Sequence, residues 1–167
     1  MRQQVDPMGL RLRLRPNERI IVNGCVLTNG DRRNTITVSS FGQVLRGKYV
    51  LQPEDAKTPI RRLYFTIQML LISGCDDDML RHASKLGAFV FTHMESDEAR
   101  AALLEAMDMV HVRDFYKGLV KLHPLLELKP SAEKTMHQDV PQELEAENRA
   151  FYQAAQERMG KPLEAAH

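Results

Sequence analysis

A chain of 167 residues, 43% hydrophobic and 27% charged, is long enough to bury one core and is balanced like an ordinary globular protein, so most of it should fold unaided. The polar opening, with Arg2, Gln3, Gln4 and Asp6, argues against a secretory signal. The longest apolar run, Leu63 to Ile72, is broken by Thr66 and Gln68 and falls short of the roughly 20 residues of a membrane helix, so the expected location is the cytoplasm.

The net charge of +1 conceals a segregation. Residues 1–64 carry twelve basic side chains against five acidic ones, and residues 65–167 carry eleven against seventeen. Such asymmetry points to a polyanionic partner, and the dominance of arginine favours phosphate, which a planar guanidinium can clamp with two hydrogen bonds. A solvated basic face that pairs with acidic helices of the same chain or of a second subunit is an equal reading.

The N-terminal half reads as short strands. From Leu10 to Arg15 leucine and arginine alternate, placing Leu10, Leu12 and Leu14 on one face and Arg11, Arg13 and Arg15 on the other. Pro16 ends this strand. Arg19-Ile20-Ile21-Val22 and Cys25-Val26-Leu27-Thr28 flank Asn23-Gly24, a strong hairpin signal. A polar loop from Asn29-Gly30 exposes Arg32 and Arg33 before a strand from Thr35 to Ser39 that buries Ile36 and Val38. Val44 to Leu51 alternates again, with Leu45, Tyr49 and Leu51 opposite Arg46 and Lys48. One antiparallel sheet with a leucine face and an arginine face is the simplest arrangement.

The C-terminal half reads as helices. Thr58-Pro59 starts one, with Thr58 as N-cap, Ile60, Leu63, Ile67, Leu70 and Leu71 at helical spacing, and Arg61 and Arg62 toward solvent. Ser73-Gly74 ends it, and Asp76, Asp77 and Asp78 begin the next, where negative charge suits the helix dipole better than it suits a metal. A third helix starts near Ser96 and buries Ala99, Leu103, Ala106 and Val110. A fourth runs from Arg113 to Leu126 on Tyr116, Leu119, Val120 and Leu126, with Pro124 as a kink or stop. A charged helix over 142–158 lies in a polar, partly mobile tail.

The expected fold is therefore α+β, a small antiparallel β-sheet region packed with a C-terminal bundle of about four helices. Its divisions are an N-terminal extension (1–8), a basic β-rich region (9–52), a helical region (53–128) and the tail (129–167). Cys25 and Cys75 stand alone and read as small core hydrophobes. His82, His93, His111 and His123 sit on helices without a nucleophile or metal motif, and no glycine-rich phosphate loop is present, so no catalytic centre, metal or cofactor is expected.

The stretch from Pro16 to Arg33, with Asn23-Gly24 and Asn29-Gly30-Asp31-Arg32-Arg33, resembles the signature of the flagellar biosynthesis repressor FlbT family. Asp55 to Phe65 and Asp114-Phe115-Tyr116-Lys117-Gly118-Leu119 are similar to later motifs of that family, and the resemblance covers roughly residues 9–128. It implies a post-transcriptional regulator that associates with the 5′ untranslated region of flagellin mRNA and promotes its degradation, working with a small FlaF-type flagellar regulator and with flagellin. On this chain the resemblance points to Arg32 and Arg33, with Arg19 and Arg62, as RNA contacts; Arg11, Arg13, Arg46, Lys48 and Arg61 join them on charge alone. Cys25 and Gly118 depart from the family pattern, Gly118 replacing a better helix former.

The arginine face would then hold the sugar–phosphate backbone while unpaired bases supply choice, with Phe41 and Tyr49 the only aromatic residues for stacking in the strand region. An assembly adaptor that binds flagellin or a helical partner in a groove of the C-terminal helices is the alternative. Exposed short edge strands favour a homodimer.

Overall fold

Leu10–Leu14 form strand β1, with Leu12 and Leu14 buried and Arg11 and Arg13 exposed, as a period-two alternation demands. The computed structural model describes residues 9–74, 76–127 and 140–159, which divide after Val50 into two units. The architecture is α+β, with antiparallel strands in the first unit and helices in the second.

In the first unit β1 pairs antiparallel with β4 (Asn34–Val38), Leu12 opposite Ile36 and Leu14 opposite Asn34. β2 (Arg19–Val22) pairs with β3 (Cys25–Thr28) and, on its other edge, with the two-residue β5 (Val44–Leu45). There are thus two sheets rather than one. The cause is local: Pro16 and Asn17, the latter at φ 59, turn the chain away before β2, leaving β1 to find β4. Asn23 and Gly24 both have positive φ, 48 and 80, as the tight hairpin turn requires. The two sheets share one core of Leu12, Leu14 and Ile20, against which Val22, Ile36, Val38 and Val44 pack.

Three expectations fail here. The strand predicted over 44–51 stops at Leu45, because Gly47 adopts φ 58 and the chain tightens into a 3-10 turn over Gly47–Tyr49. Leu10, at the open end of β1, is 51% exposed. Cys25 is exposed on the outer strand β3, so it is no core residue, and Cys75 lies outside the described residues.

The helical unit is organised around α1 (Pro59–Ser73), in which every residue from Leu63 to Leu70 is buried. Thr58 caps it by accepting from the Arg61 amide, and Gly74 at φ 76 ends it. Buried Gln68 donates to the Leu51 carbonyl and accepts from the Leu51 amide, both at 2.9 Å, so a polar side chain deep in the core is satisfied by backbone. Helices α2 (Asp77–His93), α3 (Asp97–His111) and α4 (Phe115–Leu122) begin on Asp76, Ser96 and Asp114, whose side chains accept amides of the first turn.

The helix predicted from Arg113 starts two residues late, because Arg113 takes φ 65 and Asp114 becomes the cap. It gives way at His123–Glu127 to a 3-10 segment containing Pro124, and Val120 faces outward at 41% exposure. The charged segment forms α5 (Gln142–Met159), making five α-helices among the described residues, and it docks on α1 and α2. Leu144 is buried, Tyr152 meets Phe65 and Phe151 meets His82. Arg62 binds Glu145 rather than projecting freely into solvent. Among the described residues no helix is long and apolar enough to cross a membrane.

At Gly118 α4 lies tightly against α3: a Cβ there would stand 2.9 Å from Val110 Cγ2 and 3.3 Å from the Ala106 carbonyl oxygen. Gly118→Ala should therefore destabilise by about 1–3 kcal/mol despite alanine's better helix propensity, read as a lower urea midpoint; a gain would show that the helices are not in contact there. A second expectation concerns pH. Hydrogen bonds from Lys85 and His82 hold the Glu147 carboxyl below its ordinary value. A depressed folded value means stability present above the usual carboxylate range and lost as pH falls through the folded value. The stability gap between wild type and Glu147→Gln should be open at neutral pH and close on acidification, in urea titrations across pH 2 to about 7. A gap independent of pH would contradict this.

Candidate nucleic-acid interface

The β1–β4 ribbon separates its two faces by chemistry. One face carries Leu12, Leu14, Ile36 and Val38; on the other Arg11 stands opposite Thr37 and Arg13 opposite Thr35, and all four of these are exposed. Five paired residues span about 14 Å at strand rise, the length of roughly two to three nucleotides of extended single strand. Arginine interleaved with threonine offers charge and hydroxyl donors along a line, which suits a sugar–phosphate backbone.

At the Leu14–Asn34 end of the ribbon the loop carrying Arg32 and Arg33 is tied down by two asparagines. Buried Asn29 donates through Nδ2 to the carbonyls of Arg15 (2.6 Å) and Arg32 (2.8 Å). Asn34 Nδ2 donates to Asn29 Oδ1 at 2.8 Å. Backbone bonds from the Asn17 amide to the Gly30 carbonyl and from the Asn29 amide to the Glu18 carbonyl close the same corner. The Arg32 and Arg33 side chains remain exposed and, like those of Arg11 and Arg13, form no ion pair among the described residues. Exposed Arg15 joins them at this end, a contact that the leucine–arginine alternation signals and that charge and family resemblance do not single out.

Arg46 is different. Its guanidinium binds Glu18 Oε1 (2.8 Å from Nη2, 3.2 Å from Nε) and the Arg13 carbonyl (2.9 Å), so it braces β1 instead of standing open to a ligand. Burial would raise the Glu18 carboxyl, but the Arg15 amide and the Arg46 guanidinium outweigh it and hold the group below its ordinary value. Arg19 is half-buried on β2 opposite Thr28. Lys48 lies 5.5 Å over the Tyr49 ring. Arg61 and Arg62 belong to the helical unit, both half-buried, with Arg62 committed to Glu145.

Of the two aromatic residues in this unit, Tyr49 is half-buried under Lys48 whereas Phe41 is 91% exposed. Phe41 follows the β4 end that pairs with Leu10, opposite to the Arg32 loop along the ribbon. The arrangement is a short basic track with one open ring beyond its far end. An exposed ring of this kind can stack a base of any sequence.

Comparison with known proteins places residues 10–132 in the family described as "Flagellar protein FlbT". The chain is 30% identical over 122 residues to "Flagellum biosynthesis repressor protein FlbT" of Caulobacter vibrioides, an alignment covering 72% of this chain and 86% of the relative. It is 36% identical over 123 residues to "Probable flagellum biosynthesis repressor protein FlbT" of Mesorhizobium japonicum, covering 70% and 81%. No solved structure matches the chain.

Asn29→Ala removes both donors and the acceptor that lock the arginine loop. It should cost about 1–3 kcal/mol in urea unfolding and speed amide exchange over residues 30–34. Exchange as slow as in the wild type would show that the loop is held by other means.

Proposed function

Because this chain belongs to the FlbT family of flagellar proteins, we propose that it represses flagellin synthesis in the cytoplasm by binding the 5′ untranslated leader of flagellin mRNA and promoting its degradation. The regulatory role rests on the names of its relatives, repressors of flagellum biosynthesis. The step to RNA rests on one observation, the exposed row of Arg11, Arg13, Arg15, Arg32 and Arg33 beside Thr35 and Thr37.

In this reading the arginines contact phosphates and the threonine hydroxyls bond to phosphate or ribose oxygens, which positions the strand without reading it. Phe41 stacks an unpaired base, so choice comes from a single-stranded loop of the leader. Arg46 and Glu18 serve by keeping β1 straight, not by touching RNA. A small FlaF-type regulator and flagellin are the protein partners proposed with it.

A second reading, an adaptor that binds flagellin or a small helical partner, is favoured by the exposed apolar side chains Leu104, Val112 and Val120 on and beside α3 and α4. Partners that survive RNase treatment in a pull-down would support it.

Replacing Arg32 and Arg33 together by glutamate should weaken binding to a flagellin leader RNA about tenfold or more in filter-binding titrations. It should also flatten the salt dependence, by roughly 0.7 in log–log slope for each phosphate that is no longer neutralised. Unchanged affinity in the folded double variant would refute the RNA reading.

A further inference from the structure

The exposed face of the β1–β4 ribbon is built of two rows that differ in hydrogen-bonding character. The β1 row is guanidinium, with Arg11 opposite Thr37 and Arg13 opposite Thr35. The β4 row is hydroxyl: Thr35, Thr37 and, just past the strand end, Ser39 are exposed, and they alternate with Ile36 and Val38, which pack on the core. None of these three hydroxyl side chains forms a hydrogen bond among the described residues.

A guanidinium carries only donors, so it suits phosphate oxygens and has nothing to offer a group that must also donate. The ribose 2′-hydroxyl both donates and accepts, and so does a threonine hydroxyl. Spacing brings the two rows to bear on one strand. Side chains on one face repeat at roughly 7 Å along each β-strand and stand about 5 Å from their partners across the ribbon. A phosphate held by an arginine therefore leaves the adjoining sugar within reach of the threonine opposite.

Thr37 is also oriented. A Cβ at Gly9 would stand 2.7 Å from Thr37 Cγ2, so the space that a side chain would fill there is taken by the threonine methyl. Because χ1 of a β-branched residue is stiff, seating the methyl fixes the direction of the hydroxyl.

We infer that Thr35 and Thr37 are the sugar-reading residues of this face, each pairing with a ribose 2′-hydroxyl while Arg13 and Arg11 hold the adjacent phosphates. The inference rests on the RNA reading of the arginine face and adds to it a means of telling RNA from DNA.

The full chain is titrated with oligouridine and with oligodeoxyuridine of the same length, which differ only in the 2′-oxygen. The ribose form should bind about tenfold more tightly. Thr35→Val with Thr37→Val keeps side-chain shape and strand preference and removes both hydroxyls. It should bring oligouridine down to the affinity of the deoxy form and leave the deoxy form where it was. The salt dependence should not change, because no phosphate contact is lost. Equal affinity of the wild type for the two oligomers, a preference for ribose that survives in the double variant, or a double variant that weakens both alike would each overturn the assignment and leave the RNA reading standing. A wild type that binds neither oligomer would overturn both.

Discussion

Burial of Leu12 and Leu14 against Ile20 is the contact on which the basic face depends. In a strand successive side chains point to opposite faces, so seating two leucines in the core obliges Arg11, Arg13 and Arg15 to meet water together. The energetics favour this outcome. Burying each leucine contributes about 1.5–3 kcal/mol, whereas two guanidinium groups about 7 Å apart in water repel by only about 0.6 kcal/mol before salt screening. A cluster of like charges is thus tolerated at the surface as a consequence of what lies beneath it.

Clustering alone would leave a mobile fringe of long side chains. Here the backbone beneath them is fixed by polar contacts that carry no net charge to the surface: the Asn29 and Asn34 amides at the loop end and the Arg46–Glu18 pair against the Arg13 carbonyl. Two classes of basic residue result. Arg46 and Arg62 are spent on carboxylates within their own units, and Arg11, Arg13, Arg15, Arg32 and Arg33 stay open. Neither the charge pattern nor the family resemblance separates the two classes, since Arg46 and Arg62 stand among the expected RNA contacts beside Arg32 and Arg33.

The helical unit follows a different logic, since α1 is buried from Leu63 to Leu70 and must be covered on every side. Gln68 is accommodated there because Leu51 offers it both a carbonyl and an amide. Part of the cover comes from α5, the charged helix that the sequence places in a polar, partly mobile tail. Among the described residues Leu144, Phe151 and Tyr152, the Glu145 and Glu147 ion pairs and the contact of Asn148 with His82 hold it down.

By itself the sequence determined whatever depends on neighbours a few residues away. Period-two alternation set β1, Asn23-Gly24 set the hairpin, Thr58, Asp76 and Ser96 set helix starts, and Gly74 set a stop, because caps, turns and amphipathic faces are local matters of dihedral and spacing. Tertiary structure alone decided the rest: the division into two sheets, the exposure of Cys25, the docking of α5, and which arginines remain open. Arg46 finds Glu18 across 28 residues and Arg62 finds Glu145 across 83, so no periodicity announces either pair. Gly118, a departure by helix propensity, is explained only by Val110 on the adjoining helix. Whether a charge is free or committed depends on what the folded chain brings within about 4 Å of it, a distance that separation along the sequence does not encode.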